Sequence, residues 1–118
     1  MKLTNAQIFE SIPVLAQAEE KGMLGFAIAR NRRVLAAEVQ EYARKRDELL
    51  EQFGAKEEDG KFTLTAQAAD AFYKALEPYA QLEVEVAVLQ VTPEVFCGGQ
   101  LTSSHMYTLN WMVKEETA

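Results

Sequence analysis

One hundred and eighteen residues make about one domain's worth of chain, and with 48% apolar and 25% charged side chains the sequence has enough apolar surface to fold. A formal net charge of −6, from 12 Lys/Arg against 18 Asp/Glu, argues against strong non-specific attraction to nucleic acid or anionic lipid. Single cysteine and histidine residues, Cys97 and His105, exclude an intrachain disulfide framework and an all-cysteine zinc site, and leave few ways to assemble a nucleophile with its base.

Thr4 followed by Gln7 reads as a capping box that opens a helix at Asn5. The residue before a proline avoids the α region, so Pro13 predicts a break near Ile12 and a second short helix from Pro13 to Glu20. Lys21-Gly22 reads as the stop of that piece. From about 23 to 53 the pattern predicts one long helix. Ile28, Leu35, Tyr42 and Leu49 recur at heptad spacing, with Arg32, Val39, Arg46 and Phe53 as the neighbouring row and Gly54 as terminator. At about 1.5 Å per residue such a helix is on the order of 45 Å long. A compact domain of this size has a radius of gyration of about 13–14 Å. The helix must therefore protrude or lie against another long element, and part of its seam is expected to meet a second chain.

Glu57-Glu58-Asp59-Gly60 reads as a turn with Asp-Gly at its corner, and Lys61-Phe62-Thr63-Leu64 alternates as a short strand. Thr65 can cap a helix of about 66–79 whose apolar face is Ala68, Phe72, Ala75, Leu76 and Tyr79. Leu82 to Val91 alternates, with Leu82, Val84, Val86 and Val88 on one face and Glu83 and Glu85 on the other. This strand–helix–strand stretch, about 61–91, could form a βαβ unit, or its strands could pair across a longer hairpin. Pro93 begins a short turn or helix, Gly98-Gly99 breaks the chain, and Thr102 caps a last helix of about 103–113. The expected fold is α+β, a single domain over 1–113 with one long central helix, shorter helices and a small two- to three-stranded sheet. A tail of 114–118 is expected to fray.

Charge is unevenly placed. Arg30, Arg32, Arg33, Arg44, Lys45 and Arg46 fall in a segment holding only Glu38 and Glu41 as acids, so 30–46 carries +4 and the remainder −10. Such a stripe suits an acidic partner or phosphates. It can equally be a solvated helix face with the local pairs Glu41–Lys45 and Arg44–Glu48. Cys97 and His105 could supply a minimal thiol–imidazole pair, though a small core residue and a first-turn polar residue are their ordinary readings. Gly98-Gly99-Gln100 matches the tripeptide that polypeptide release factors present for peptidyl-tRNA hydrolysis, but its acidic and apolar flanks favour a plain glycine turn. Glu57, Glu58 and Asp59 resemble a calcium loop only in composition, and no P-loop, dinucleotide fingerprint or zinc spacing is present. No cofactor or metal is expected. Phe9, Phe26, Tyr42, Phe53, Phe62, Phe72, Tyr73 and Tyr79 fall mostly at core-facing positions, whereas Trp111 falls away from the Met106–Leu109–Val113 row and is expected at a contact surface. The sequence has no apolar run near the roughly 20 residues that span a bilayer and no signal-peptide core at Met1-Lys2-Leu3-Thr4-Asn5, so a cytoplasmic setting is expected.

The stretch Leu24-Gly25-Phe26-Ala27-Ile28-Ala29-Arg30-Asn31, continuing through Arg44-Lys45-Arg46-Asp47-Glu48-Leu49-Leu50 and Phe53-Gly54-Ala55-Lys56-Glu57-Glu58-Asp59-Gly60-Lys61-Phe62, resembles a family of small tailed-phage and prophage proteins of unknown function. The alternating Leu82–Val91 stretch and the Leu101-Thr102 lead into Leu109-Asn110-Trp111-Met112-Val113 are similar to that family's C-terminal part. The resemblance implies a phage setting in the host cytoplasm and carries no activity or site. The expected function is a non-enzymatic protein–protein interaction or assembly accessory acting through the long helix, with another protein or a second copy as partner. Arg30, Arg32, Arg33, Leu35, Val39, Tyr42, Arg44, Arg46, Leu49, Phe53 and Trp111 are the expected interaction residues. The alternatives are a nucleic-acid-binding accessory using the basic stripe at 30–46 and, remotely, a thiol enzyme at Cys97 and His105.

Overall fold

The computed structural model describes residues 1–56 and 60–114, the side chains of 55 and 56 excepted. The Glu57-Glu58-Asp59 turn and the tail beyond 114 lie outside the described residues. Strand β1 (Lys2–Thr4) leads directly into helix α1 (Asn5–Gln17). Both halves of the capping box form there. Gln7 N–H donates to Thr4 Oγ1 at 3.1 Å, and Thr4 N–H donates to Gln7 Oε1 at 2.8 Å, satisfying amides that a helix start leaves free. Pro13 does not break α1, and the separate helix expected from Pro13 to Glu20 is absent. The proline lies on the exposed side, where it removes a single backbone bond, while Ile8, Ser11 and Leu15 stay buried on the other face.

Lys21-Gly22 likewise opens a helix rather than closing one. Gly22, at φ +65°, is the first residue of α2 (Gly22–Glu38), and the left-handed backbone there suits only glycine without strain. The expected single helix of 23–53 is two helices, α2 and α3 (Gln40–Phe53), interrupted at Val39. No proline or glycine lies at the junction. Val39 N–H still donates to Leu35 O, and Ala43 N–H to Val39 O, both at 2.9 Å. What changes there is the covering helix: α1 packs on α2, and α4 (Ala66–Ala80) packs on α3.

The seam row Ile28, Leu35, Tyr42 and Leu49 is therefore buried within the chain itself, and the expectation that it meets a second chain is corrected. The long element is accommodated by an elongated body of 49 × 28 × 23 Å, whose radius of gyration of 16.6 Å exceeds that of a compact domain of equal length. The core is centred on Leu3, Ile8, Leu15, Leu35, Phe72, Leu109 and Met112.

Strands are short and paired in two separate antiparallel pieces. β2 (Ala55–Lys56) pairs with β3 (Phe62–Thr63), and β1 pairs with β4 (Glu83–Glu85) with Leu3 opposite Val84. Neither the βαβ unit nor the direct hairpin between the 61–64 and 82–91 stretches forms, because each strand has another partner. Thr65 caps α4 by accepting from Ala68 N–H at 3.1 Å. The expected ten-residue strand of 82–91 shortens to β4. Beyond it, the buried Asn31 side chain takes the place of a neighbouring strand: its Nδ2 donates to Leu89 O at 2.9 Å, and Leu89 N–H donates to its Oδ1 at 2.7 Å.

Helix α5 (Pro93–Cys97) carries proline in its first turn, and α6 (Ser103–Thr108) is capped by Thr102 as expected. The last expected helix ends early, giving way to a 3₁₀ turn at Asn110–Met112. Val91 N–H donates to Met112 O at 2.8 Å and Lys114 N–H to Val91 O at 2.7 Å, closing a parallel bridge between Val91 and Val113. The architecture is α+β, mostly helical, with two small antiparallel strand pairs in place of one sheet.

Candidate functional site

The apolar residues expected at an interface lie mostly inside the fold. Leu35, Val39, Tyr42 and Leu49 are buried, and Phe53 is half-buried against the same core. Trp111 is a further correction: its indole is buried, with Nε1–H donating to Ser11 Oγ at 3.0 Å. Ser11 Oγ in turn donates to Gln7 O at 2.6 Å. A buried indole requires such an acceptor. Ser11, placed between Ile8 and Leu15 on the apolar face of α1, is the signal that could have located it.

The arginines divide. Among the described residues the ion pairs are the Met1 amine with Glu85 at 2.6 Å, Lys45 with Glu48 at 3.5 Å and Lys74 with Asp70 at 3.4 Å. The expected pairs Glu41–Lys45 and Arg44–Glu48 are absent, and Arg30, Arg32, Arg33, Arg44 and Arg46 have no acidic partner among the described residues. Arg46 is nonetheless engaged: its guanidinium carbon lies 5.1 Å from the centroid of the Phe9 ring and 5.8 Å from that of Phe72. Lys45 Nζ lies 5.1 Å from the Tyr79 ring centroid. Arg32, Arg33 and Arg44 are exposed, and Arg30 is half-buried with Nη2 donating to Ala87 O at 3.4 Å.

The outward face of α2 gathers what the sequence left scattered. Met23 and Phe26 are 60% and 63% exposed. They lie on one helical face with Arg30 and Arg33, opposite the buried row of Leu24, Ala27, Ile28, Asn31 and Leu35. Phe26, Ala29, Arg30 and Arg33 line a shallow depression of about 190 Å³. Phe26 corrects the expectation of a core-facing position. The buried row fixes the helix rotation, and Phe26 falls on the other side of it. The signal was available in the i, i+3, i+7, i+10 spacing of Met23, Phe26, Arg30 and Arg33.

The remaining sequence features have structural placements. Gly98 is the C-terminal cap of α5 at φ −78°, so no left-handed turn is involved. A Cβ at Gly99 would come within 2.8 Å of the Glu20 carboxylate oxygens, and Glu20 Oε1 accepts from Gln100 N–H. A side chain at Gly99 would oblige the ends of the Glu20 and Leu24 side chains to shift. Cys97 is exposed at the end of α5, His105 is half-buried in α6, and no hydrogen bond joins them. Glu83 and Glu85 are both exposed on β4. The Glu85 carboxyl is held below its usual range, first by the hydrogen bond and then by the charge of the Met1 amine. Among the described residues no cluster of three or more His, Cys, Asp or Glu side chains could hold a metal, and no helix is long and apolar enough to cross a membrane. No protein-family model, curated protein or solved structure matches the chain, so residue roles rest on this geometry.

Proposed function

We propose that the chain is a non-enzymatic protein-binding accessory that docks an acidic, partly apolar protein surface through the outward face of α2. One observation carries this reading: exposed Met23 and Phe26 share a face with Arg30 and Arg33, whose charges have no acidic partner among the described residues. Methionine, aromatic and arginine side chains are the types enriched at the centres of protein interfaces. Covering Met23 and Phe26 would contribute roughly 1.5–3 kcal/mol each at full burial, and the arginines would favour an acidic partner through charge complementarity. The resemblance to small tailed-phage proteins suggests the host cytoplasm of a phage or prophage as the setting.

A photo-crosslinking residue at Ala29, compared with one at exposed Gln67 on α4, tests the proposal in the source cells. A discrete adduct is expected at position 29 only, lost in a Met23→Ser, Phe26→Ser, Arg30→Glu variant. An adduct of twice the chain mass identifies a second copy as the partner, and any other mass a foreign protein. Equal labelling at both positions, or an adduct that survives the triple variant, overturns the proposal. The nucleic-acid alternative has its own supporting observation in Arg32, Arg33 and Arg44, which are exposed and have no acidic partner among the described residues. It requires salt-dependent retardation of the chain on nucleic acid, and a net charge of −6 weighs against it.

A further inference from the structure

Helices α1, α3 and α4 enclose a second feature, an open groove of about 460 Å³ lined by Phe9, Glu10, Tyr42, Arg46, Tyr73 and Glu77 among others. That volume lies in the range of small-molecule sites, about 300–1,000 Å³. Its charged groups are held apart. Arg46 makes neither an ion pair nor a hydrogen bond, and neither Glu10 nor Glu77 has a cation within ion-pair distance, among the described residues. The Phe9 and Phe72 rings fix the guanidinium in place while leaving its donor edges unspent. Phe9 and Tyr42 meet edge to face with centroids 5.7 Å apart, forming one aromatic wall, and the exposed Tyr73 ring offers a further apolar surface. Arg46 and Glu10 both act electrostatically on the Tyr42 hydroxyl with opposite sign, Arg46 favouring its ionisation and Glu10 opposing it, and all three line the groove.

A ligand of one sign meets its own charge in this groove, since an anion faces two carboxylates and a cation faces Arg46. We infer that the groove binds a small zwitterion with an apolar body, of the α-amino-acid class, its carboxylate on Arg46 and its ammonium toward Glu10 and Glu77. The guanidinium fork suits a carboxylate, and the aromatic walls suit an apolar side chain.

The test is titration of the full chain, followed by amide NMR, with L-phenylalanine, with phenylacetate lacking the ammonium, and with 2-phenylethylamine lacking the carboxylate. L-Phenylalanine is expected to saturate and to bind at least about tenfold more tightly than either analogue, a difference readable directly as a ratio of dissociation constants. Arg46→Met should abolish the preference over 2-phenylethylamine, and the Glu10→Gln, Glu77→Gln pair the preference over phenylacetate, with Arg44→Met leaving both intact. Should Arg46→Met fail to fold, Arg46→Lys retains the charge without the fork and should weaken L-phenylalanine severalfold. Equal affinity for the three probes, no saturation below about 10 mM, or an equal loss in Arg44→Met overturns the inference; these affinities lie within the range that such titrations resolve.

Discussion

The α1/α2 half and the α3/α4 half of the molecule use similar residues to different ends. In α2 Arg32 and Arg33 are exposed, Arg30 reaches only the Ala87 carbonyl, and none has an acidic partner among the described residues, while the buried face places a polar residue, Asn31, to tether Leu89. In α3 two cations lie over rings, Arg46 over Phe9 and Phe72 and Lys45 over Tyr79, Arg44 is exposed, and the buried residues are Tyr42 and Leu49. The difference teaches that what a cation does on a helix depends on the ring or carbonyl across from it, more than on its own place in a charge stripe. Ion pairs contribute little to either half, because exposed pairs such as Lys74–Asp70 are each worth well under about 1 kcal/mol.

The contrast can be broken most strongly at Phe72. Phe72→Ala empties the centre of the aromatic half and removes one ring from beneath Arg46, and should lower unfolding free energy by roughly 3–5 kcal/mol in urea denaturation. A loss below about 1 kcal/mol would mean that the site refills and the aromatic half is not closely packed. Asn31→Ala tests the other half. It leaves the Leu89 N–H and C=O without their partner and should cost about 2–3 kcal/mol. Its distinguishing sign is local: hydrogen exchange of the Leu89 amide should accelerate ahead of amides in α3 and α4. Exchange rising equally in both halves would merge them into one cooperative unit.

The smallest effect sharpens the comparison at Tyr42. Burial, offset by Arg46 and reinforced by Glu10, raises its phenol above the ordinary 10.0. The folded state therefore holds the proton more tightly than the unfolded chain. Its contribution to stability is complete below pH 10.0 and is lost as pH rises through the raised value. Tyr42→Phe should flatten the alkaline decline in stability while leaving the neutral-pH plateau with the same shape. An unchanged alkaline slope in Tyr42→Phe would show that another group causes it.

How far the sequence speaks depends on how local the deciding interaction is. The capping box at Thr4 and Gln7, the caps at Thr65 and Thr102, and the amphipathic burial of Ile28, Leu35 and Leu49 are written within a few residues of where they act, and all were legible. The interruption at Val39 was not, because it coincides with a change of covering helix from α1 to α4, elements far apart in the chain. Strand β1 is too short for alternation to mark it, and its partner β4 lies across most of the sequence. The burial of Trp111 is not legible for the same reason, its acceptor Ser11 being 100 residues earlier. At the candidate face the arginines are legible as a cluster, and the spacing of Met23 and Phe26 with Arg30 and Arg33 carries the rest, but the burial of Asn31 and Leu35 decides which side of α2 faces inward.

The bond between Trp111 and Ser11 also bears on how the protein is made. At roughly 5–20 residues per second, a ribosome needs about 5–20 s to travel from one to the other. Throughout that interval α1 is already synthesised, with Ser11 lacking the indole that will reach it, and for much of it β1 lacks its partner β4. Local helix pairing can begin on the nascent chain, but the β1–β4 closure waits for Glu83–Glu85 and the Ser11 closure for Trp111. Final folding is thus a late event, concentrated after the 3₁₀ turn has cleared the exit tunnel.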